Sequence, residues 1–333
     1  MDHARNLLTM GMTTHARQGR GVAAVLAVFA LAFPATAAAA APTVTTGGAT
    51  NVSQTSVVLN GTVDPNGTAT AYFFQIGTTT LYGGQTAEAF AGDGASARKI
   101  NAPFGSLAPF TTYHYRLVGR YGSKLVKGED RTFKTRRQPL GLSLSATPNP
   151  VRFNGSTTLN GNLAGTGNSG RQVVLQSNPF PYTQGFLTTG NPQVVDMAGN
   201  FAFPILSLGL NTQFRVQLPD RPEITSPIVP VGVKVRVSTN APRRVRRGRR
   251  AHFSGTVTPS SNGAEVAIQR RSGSNWRTIA RTFAARRDDG SSRYRRGVKL
   301  LRTGTFRVLV STVSGAHVSN VGRSTRVRVL RRR

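Results

Sequence analysis

Twelve carboxylates, five histidines and no cysteine set the supply of reactive side chains in this 333-residue sequence. Without cysteine there is no thiol nucleophile, no thiolate zinc or iron–sulfur site, no disulfide framework and no lipidated cysteine anchor. His3 and His15 lie near the N-terminus, His114 falls within a strand-like run, His252 precedes another and His317 is near the last, so no two stand at metal-ligand spacing. The serine hydrolase elbow G-x-S-x-G does not occur. Glu129-Asp130 and Asp288-Asp289 are adjacent pairs in turn contexts, which suits solvated loop charges rather than an acid and a base held across a substrate. Catalysis, a resident metal and a cofactor are therefore not expected.

Cations are the side chains in excess. Lys and Arg number 43, for a net charge of +31, and they are unevenly spread. Residues 1–41 carry 3 basic and 1 acidic side chain, 42–137 carry 10 and 5, 138–231 carry 4 and 3, and 232–333 carry 26 and 3. Within the last span Lys234 and Arg236 alternate with Val233, Val235 and Val237, and Arg326 and Arg328 alternate with Thr325, Val327 and Val329. Side chains that alternate along a strand share a face, so if the first and last strands are neighbours the two stripes form one basic face. Arg243, Arg244, Arg246, Arg247, Arg249 and Arg250 add a basic loop, and Arg331 to Arg333 a basic tail. Crowded like charges repel, and an anionic partner relieves that cost. The competing reading is compositional: Arg outnumbers Lys 37 to 6, as GC-rich codons produce on a tolerant surface.

A second candidate contact is the loop Asn178-Pro179-Phe180-Pro181-Tyr182-Thr183-Gln184-Gly185-Phe186. Rings held by prolines can stack on sugar faces or anchor a partner. In the alternative, Phe180 and Phe186 plug one end of a domain. Trp276, the single tryptophan, is either core or platform.

The elements that would position these residues are strands. Leu59-Asn60-Gly61-Thr62-Val63, Leu159-Asn160-Gly161-Asn162-Leu163 and Phe253-Ser254-Gly255-Thr256-Val257 repeat one alternating pattern. Each is followed by a second run (71–76, 171–176, 264–269) and a third (112–118, 212–218, 305–310). Period-2 alternation between Gly, Pro, Asn and Asp clusters predicts strands, and nothing comparable predicts a helix after residue 41. Pro65-Asn66-Gly67 and Asn262-Gly263 supply residues that tolerate positive φ in hairpin turns. Asp196 to Phe201 and Asp289 to Tyr294 read as matching turns, with calcium ligation as the sharper alternative for their carboxylates. The expected fold is all-β: three tandem antiparallel β-sandwiches at 42–137, 138–231 and 232–333.

Ahead of them, Arg17 and Arg20 precede an apolar run from Val22 to Phe33, then Pro34 and the small residues Ala35 to Ala41. This is the order of an export signal, with cleavage after Ala37, Ala39 or Ala40. The apolar core is shorter than the ~20 residues a membrane span requires, so no transmembrane span is expected in the mature chain.

Residues 42–137 resemble a bacterial fibronectin type III domain, through Pro42-Thr43-Val44-Thr45-Thr46, the run Ser56 to Gly67, Tyr72-Phe73-Phe74, and Leu107 to Arg116. Leu107 and Tyr113 read as its corner, the tyrosine packing inward and its hydroxyl tying the preceding loop. Residues 138–231 and 232–333 are similar to bacterial immunoglobulin-like domains in their strand and turn patterns. The resemblance implies extracellular modules that act as adhesive binding surfaces or as spacers, with no shared catalytic residue. The expected partner of the last domain is an anionic cell-wall polymer or polysaccharide. Extracellular nucleic acid, other surface proteins, a carbohydrate-binding accessory role and a ligand-free spacer are the alternatives.

Overall fold

A computed structural model describes residues 40–331. Residues 1–39, which hold most of the segment read as an export signal, lie outside the described residues, as do Arg332 and Arg333 of the basic tail. Among those described, regular structure is all strand, and no helix is long and apolar enough to cross a membrane.

The alternating sequence patterns become alternating burial. Val57–Asp64 and Thr212–Leu218 place every second residue in the core, as a strand with one face against a second sheet must. The three repeated motifs fall within Val57–Asp64, Gly155–Ala164 and Arg250–Thr258. Each of these is the centre of an antiparallel sheet. Its neighbours are Thr43–Thr46 and Arg98–Phe104, then Gly141–Thr147 and Asn200–Leu208, then Arg236–Val237 and Ser292–Lys299. The second and third runs of each unit pair with one another in the facing sheet: Thr70–Gly77 with Thr112–Tyr121, Gln172–Pro179 with Thr212–Leu218, and Glu265–Ser272 with Gly304–Ser311. Three tandem β-sandwiches result, each with its own core. Leu59, Phe74 and Leu117 centre the first, Leu159, Phe214 and Val216 the second, and Phe253, Ile268 and Phe306 the third. Burying each such side chain contributes about 1.5–3 kcal/mol.

The glycine of the repeated motif has a shared steric reason. A methyl at Gly161 would run into the Phe201 ring and the Ser143 carbonyl, and one at Gly255 into the Ser238 carbonyl and the Tyr294 hydroxyl. The preceding strand's backbone lies against the motif at this point, so any side chain would push the pair apart.

Turn chemistry follows the sequence. Asn66 and Gly67 have φ of 49° and 79°, and Thr68 N–H donates to Pro65 O at 2.9 Å, a tight turn of the kind those residues favour. It is not the expected hairpin, because it carries the chain from Val57–Asp64 to Thr70–Gly77 in the facing sheet, as Asn262-Gly263 does between Arg250–Thr258 and Glu265–Ser272. Asp196 Oδ1 accepts from the Ala198 and Asn200 amides at 2.9 and 2.7 Å, with Gly199 at φ 87°. Asp289 Oδ1 repeats this role for Ser291, at 3.1 Å from its amide and 2.6 Å from its hydroxyl. That hydroxyl bond holds the Asp289 carboxyl below its ordinary range. Both carboxylates thus tie turns. At the first unit's corner Tyr113 Oη accepts from the Ala108 amide at 2.9 Å while its ring stacks on Phe133, and Leu107 is buried.

The two junctions differ. Between the first and middle units the chain passes directly from Arg131–Lys134 to Gly141–Thr147, and Lys134 and Arg137 stack on the Phe110 ring at 3.7 and 3.8 Å. Between the middle and last units the contact is structural. Val151–Arg152 pairs in parallel with Val233–Lys234, and Val233 packs in the middle core while Val235 packs in the last. The Asn211 side chain accepts from Val233 N–H and donates to Gly315 O, both at 2.7 Å. His317 lies edge-on to Phe153, with Nε2 2.9 Å from Gly209 O.

Candidate functional site

The basic residues singled out in the sequence do not form one face, and the reason lies in the path of the first strand. The stripe pattern predicts the run 233–237 beside 325–329. Instead Arg236 and Val237 sit in register with Thr258 and Val257, in the sheet opposite the last strand. The chain then leaves that sheet: Asn240 exchanges backbone hydrogen bonds with Ser254, and Ala241-Pro242 follow. Proline has no N–H for a continuing ladder. Beyond it, Arg244–Arg246 joins the facing sheet, parallel to Thr325–Leu330, with Arg244 opposite Arg328 and Arg246 opposite Leu330.

The expected basic loop is accordingly part strand. Arg243 O accepts from Arg328 N–H at 2.9 Å, Arg247 N–H donates to Leu330 O at 2.9 Å, and Arg246 to Arg249 is a tight turn with Gly248 at φ 82°. Val245 and Val329 pack on the core, which leaves Arg243, Arg244, Arg246, Arg247, Arg249, Arg250, Arg326 and Arg328 all exposed. Lys234 and Arg236 stand apart from these, at the junction with the middle unit, where Arg236 Nε donates to Phe153 O at 2.9 Å.

The opposite sheet holds cations that the stripe pattern missed. In the pairing of Arg250–Thr258 with Ser292–Lys299, Arg250 stands opposite Lys299, Ser254 opposite Arg295 and Thr256 opposite Arg293. Directly opposed residues of an antiparallel pair share a face. Arg250, Arg293, Arg295 and Lys299 therefore line one outward face, while Phe253, Tyr294 and Val298 point to the core. The signal was present in Ser-Arg-Tyr-Arg-Arg-Gly-Val-Lys, where buried Tyr294 and Val298 fix which cations point out. Arg244, Arg250, His252 and Arg295, with Asn240 and Pro242, line a groove of about 510 Å3 where the chain crosses between the sheets.

These cations lack carboxylate partners among the described residues. The last unit's ion pairs are Arg281 with Glu265, 3.0 Å, and Arg287 with Asp289, 3.1 Å, neither of which involves this face. Like charges set directly opposite oppose pairing, as Arg250 and Lys299 are, and Arg293 and Arg295 follow each other on the same face. An anion laid along it removes that repulsion, and guanidinium groups bind oxyanions in bidentate fashion.

The aromatic loop does not plug the middle core. Phe180, Tyr182 and Phe186 are half-buried, and none belongs to the middle core. Phe180 packs edge-on to Tyr182, with ring centroids 5.6 Å apart, and covers Gly315 of the last unit. It is a junction residue. Phe186 lies under the Arg215 guanidinium at 4.3 Å. Trp276 is half-buried on Asn275–Phe283, outside the core, with Arg307 4.3 Å over its ring.

In the first unit, Asp130 accepts from Tyr82 Oη at 2.6 Å and lies 2.7 Å from His114 Nδ1. Burial and this bond push the Tyr82 phenol up to about 12. Burial would raise the Asp130 carboxyl, but its bonds to Tyr82 and His114 hold it below its ordinary value. The group fastens the loop after Thr70–Gly77 to the strand Thr112–Tyr121 and to the turn ahead of Arg131–Lys134.

No protein-family model matches the chain, and no curated protein does. Among solved structures, the FN1-FN3 domains of chicken CNTN1 are similar at 13% identity and a TM-score of 0.28, over 85% of this chain and 98% of that one. A tetra-tandem repeat in the extending region of a large adhesion protein is similar at 15% and 0.31, over 87% and 74%. The sensor domain of the anti-sigma factor RsgI4 of Pseudobacteroides cellulosolvens is similar at 19% and 0.21, over 28% and 89%. At these values none of them carries a function over to this chain. The chain itself is all-β, a run of antiparallel sandwiches.

Proposed function

We propose that this is an exported bacterial protein acting without catalysis at or outside the cell surface. In this reading it is built of a fibronectin type III-like module at 42–137 and two immunoglobulin-like modules at 138–231 and 232–333, the last holding an anionic wall polymer or polysaccharide. The observation that carries the reading is the outward face of Arg250, Arg293, Arg295 and Lys299, unpaired with carboxylate among the described residues. The order of an export signal at the N-terminus favours a partner outside the cell, where anionic polysaccharide is nearer than intracellular nucleic acid. The backbone of such a polymer offers charge at regular spacing and little else to read, which suits a ladder of cations on a flat sheet.

The test is retention of the full chain on immobilised heparin and on purified wall polymer at rising salt. The expected result is log-linear weakening with salt, and loss of most retention on replacing Arg250, Arg293, Arg295 and Lys299 by Gln. Retention that ignores both would overturn the reading. Stronger binding to duplex DNA under the same conditions would move the partner to nucleic acid. No retention at physiological salt would favour the passive spacer.

A further inference from the structure

The junction between the middle and last units encloses a groove of about 900 Å3, lined by Arg152 of the middle unit and by Lys234, Arg236, Asn320 and Arg323 of the last. The short parallel ladder that joins the units sets Arg152 directly opposite Lys234. Two cations side by side across an interface oppose docking, and Arg236 and Arg323 add to the same field. Among the described residues none of the four is paired with a carboxylate. The interface is nonetheless firmly made, by the Asn211 side chain and by Phe180 on Gly315. The groove's own wall is fixed as well: Arg236 Nε donates to Phe153 O at 2.9 Å and Asn320 Nδ2 to Val235 O at 2.8 Å. A held cleft of four cations from two units, with its repulsion uncompensated, is a built receptor for anionic groups.

The groove is also continuous with the face described above. Arg236 stands opposite Thr258, and Thr258 shares its side of the strand with Thr256, Ser254 and Arg250. The cations thus run from Arg250 and Lys299, past Arg295 and Arg293, to Arg236 and into the junction. About eight residues of strand separate Arg250 from Thr258, about 27 Å at strand rise. A single phosphate would occupy one end of this track, whereas a polymer with anionic groups along its length would fill it.

We infer that Arg152, Lys234, Arg236 and Arg323 form a composite site for one end of an anionic polymer chain, a site that exists only when the middle and last units are docked. This rests on the polymer-binding reading and extends it to the middle unit, whose own charge is nearly balanced. Occupancy would also stiffen the junction, since the bound anion removes the repulsion between Arg152 and Lys234.

Long-chain heparin is the probe, titrated against the full chain and two variants with the same change of charge. Arg152→Ala removes a groove cation that is exposed and makes no ion pair among the described residues. Arg221→Ala is the control, in the middle unit but at the end of its sheet away from the junction, where it pairs with Glu223. The expected result is affinity weakened roughly threefold to fivefold by Arg152→Ala at physiological salt, and a salt slope lower by about one. Arg221→Ala should stay near the parent on both counts. Equal behaviour of the two variants would overturn the composite site. The double variant Arg293→Ala with Arg295→Ala separates the two ideas: if it weakens binding while Arg152→Ala does not, the junction inference alone fails. If neither weakens it, the polymer-binding reading fails with it.

Discussion

Between residues 138–231 and 232–333 the central strand, its two neighbours and the facing pair recur in the same order, and a turn tied by an Asp carboxylate recurs in each. Yet four cations meet three carboxylates in the first of these spans and 26 meet three in the second. In the middle unit three of the four cations are satisfied: Arg171 pairs with Asp220, Arg221 with Glu223, and Arg215 lies over Phe186, while Arg152 faces the junction with the last unit. In the last unit they crowd on open faces. The comparison teaches that this sandwich folds without the cations, so their presence needs a reason outside folding. Both cores close on the same kinds of side chain, Leu159 with Phe214 in one and Phe253 with Phe306 in the other.

If the two units are equivalent as folds, core truncations should cost them alike. Leu159→Ala should destabilise the middle unit by about 2–5 kcal/mol and Phe253→Ala the last by about 3–5 kcal/mol, read as the loss of one unfolding transition in urea. A much smaller loss in the last unit would break the comparison. Next in size, Gly161→Ala and Gly255→Ala should each lower the stability of their own unit by about 1–3 kcal/mol. Thermal unfolding checks this, and a tolerated Gly255→Ala would mean that the first strand's backbone lies farther off.

The units should separate at high pH. Burial raises the phenol pKa of Tyr294 in the last unit, against the smaller opposing pull of a hydrogen bond to Thr239, and the middle core contains no tyrosine. A raised folded-state pKa gives stability that is complete below the unfolded value near 10 and lost as pH rises through the folded one. Above pH ~10 the last unit should therefore weaken before the middle. Tyr294→Phe should abolish that dependence while costing about 1 kcal/mol at neutral pH, through the bond to Ser238 O. The smallest effect should come from the cations: Arg293→Gln with Arg295→Gln should shift stability by less than about 0.5 kcal/mol. A large loss on that change would tie the charge to folding after all.

The strands and turns are legible in the sequence because their causes are local. Alternation determines which residues of 57–64, 155–164 and 250–258 point inward, and Asn66-Gly67 or Asp196-Gly199 carry their turns within a few residues. Strand neighbours are not legible, because Val-Lys-Val-Arg-Val at 233–237 and Arg-Val-Arg at 244–246 alternate equally well. Either could flank the last strand, and Pro242 is the one local sign of a crossing. Arg293 and Arg295 register in the sequence as charge but not as a face, because their partners Thr256 and Ser254 lie about forty residues away in the chain. Phe180 at Gly315 and Arg152 at Lys234 depend on docking two units, information that no single strand pattern contains.

The most direct test of the account is the salt dependence of the full chain's binding to purified wall polymer, compared between the parent and a variant in which Arg250, Arg293, Arg295 and Lys299 are all replaced by Gln. The account predicts affinity that falls linearly in log salt for the parent, with a markedly shallower slope and weaker binding for the variant. Equal slopes and equal affinity in the two proteins would contradict it.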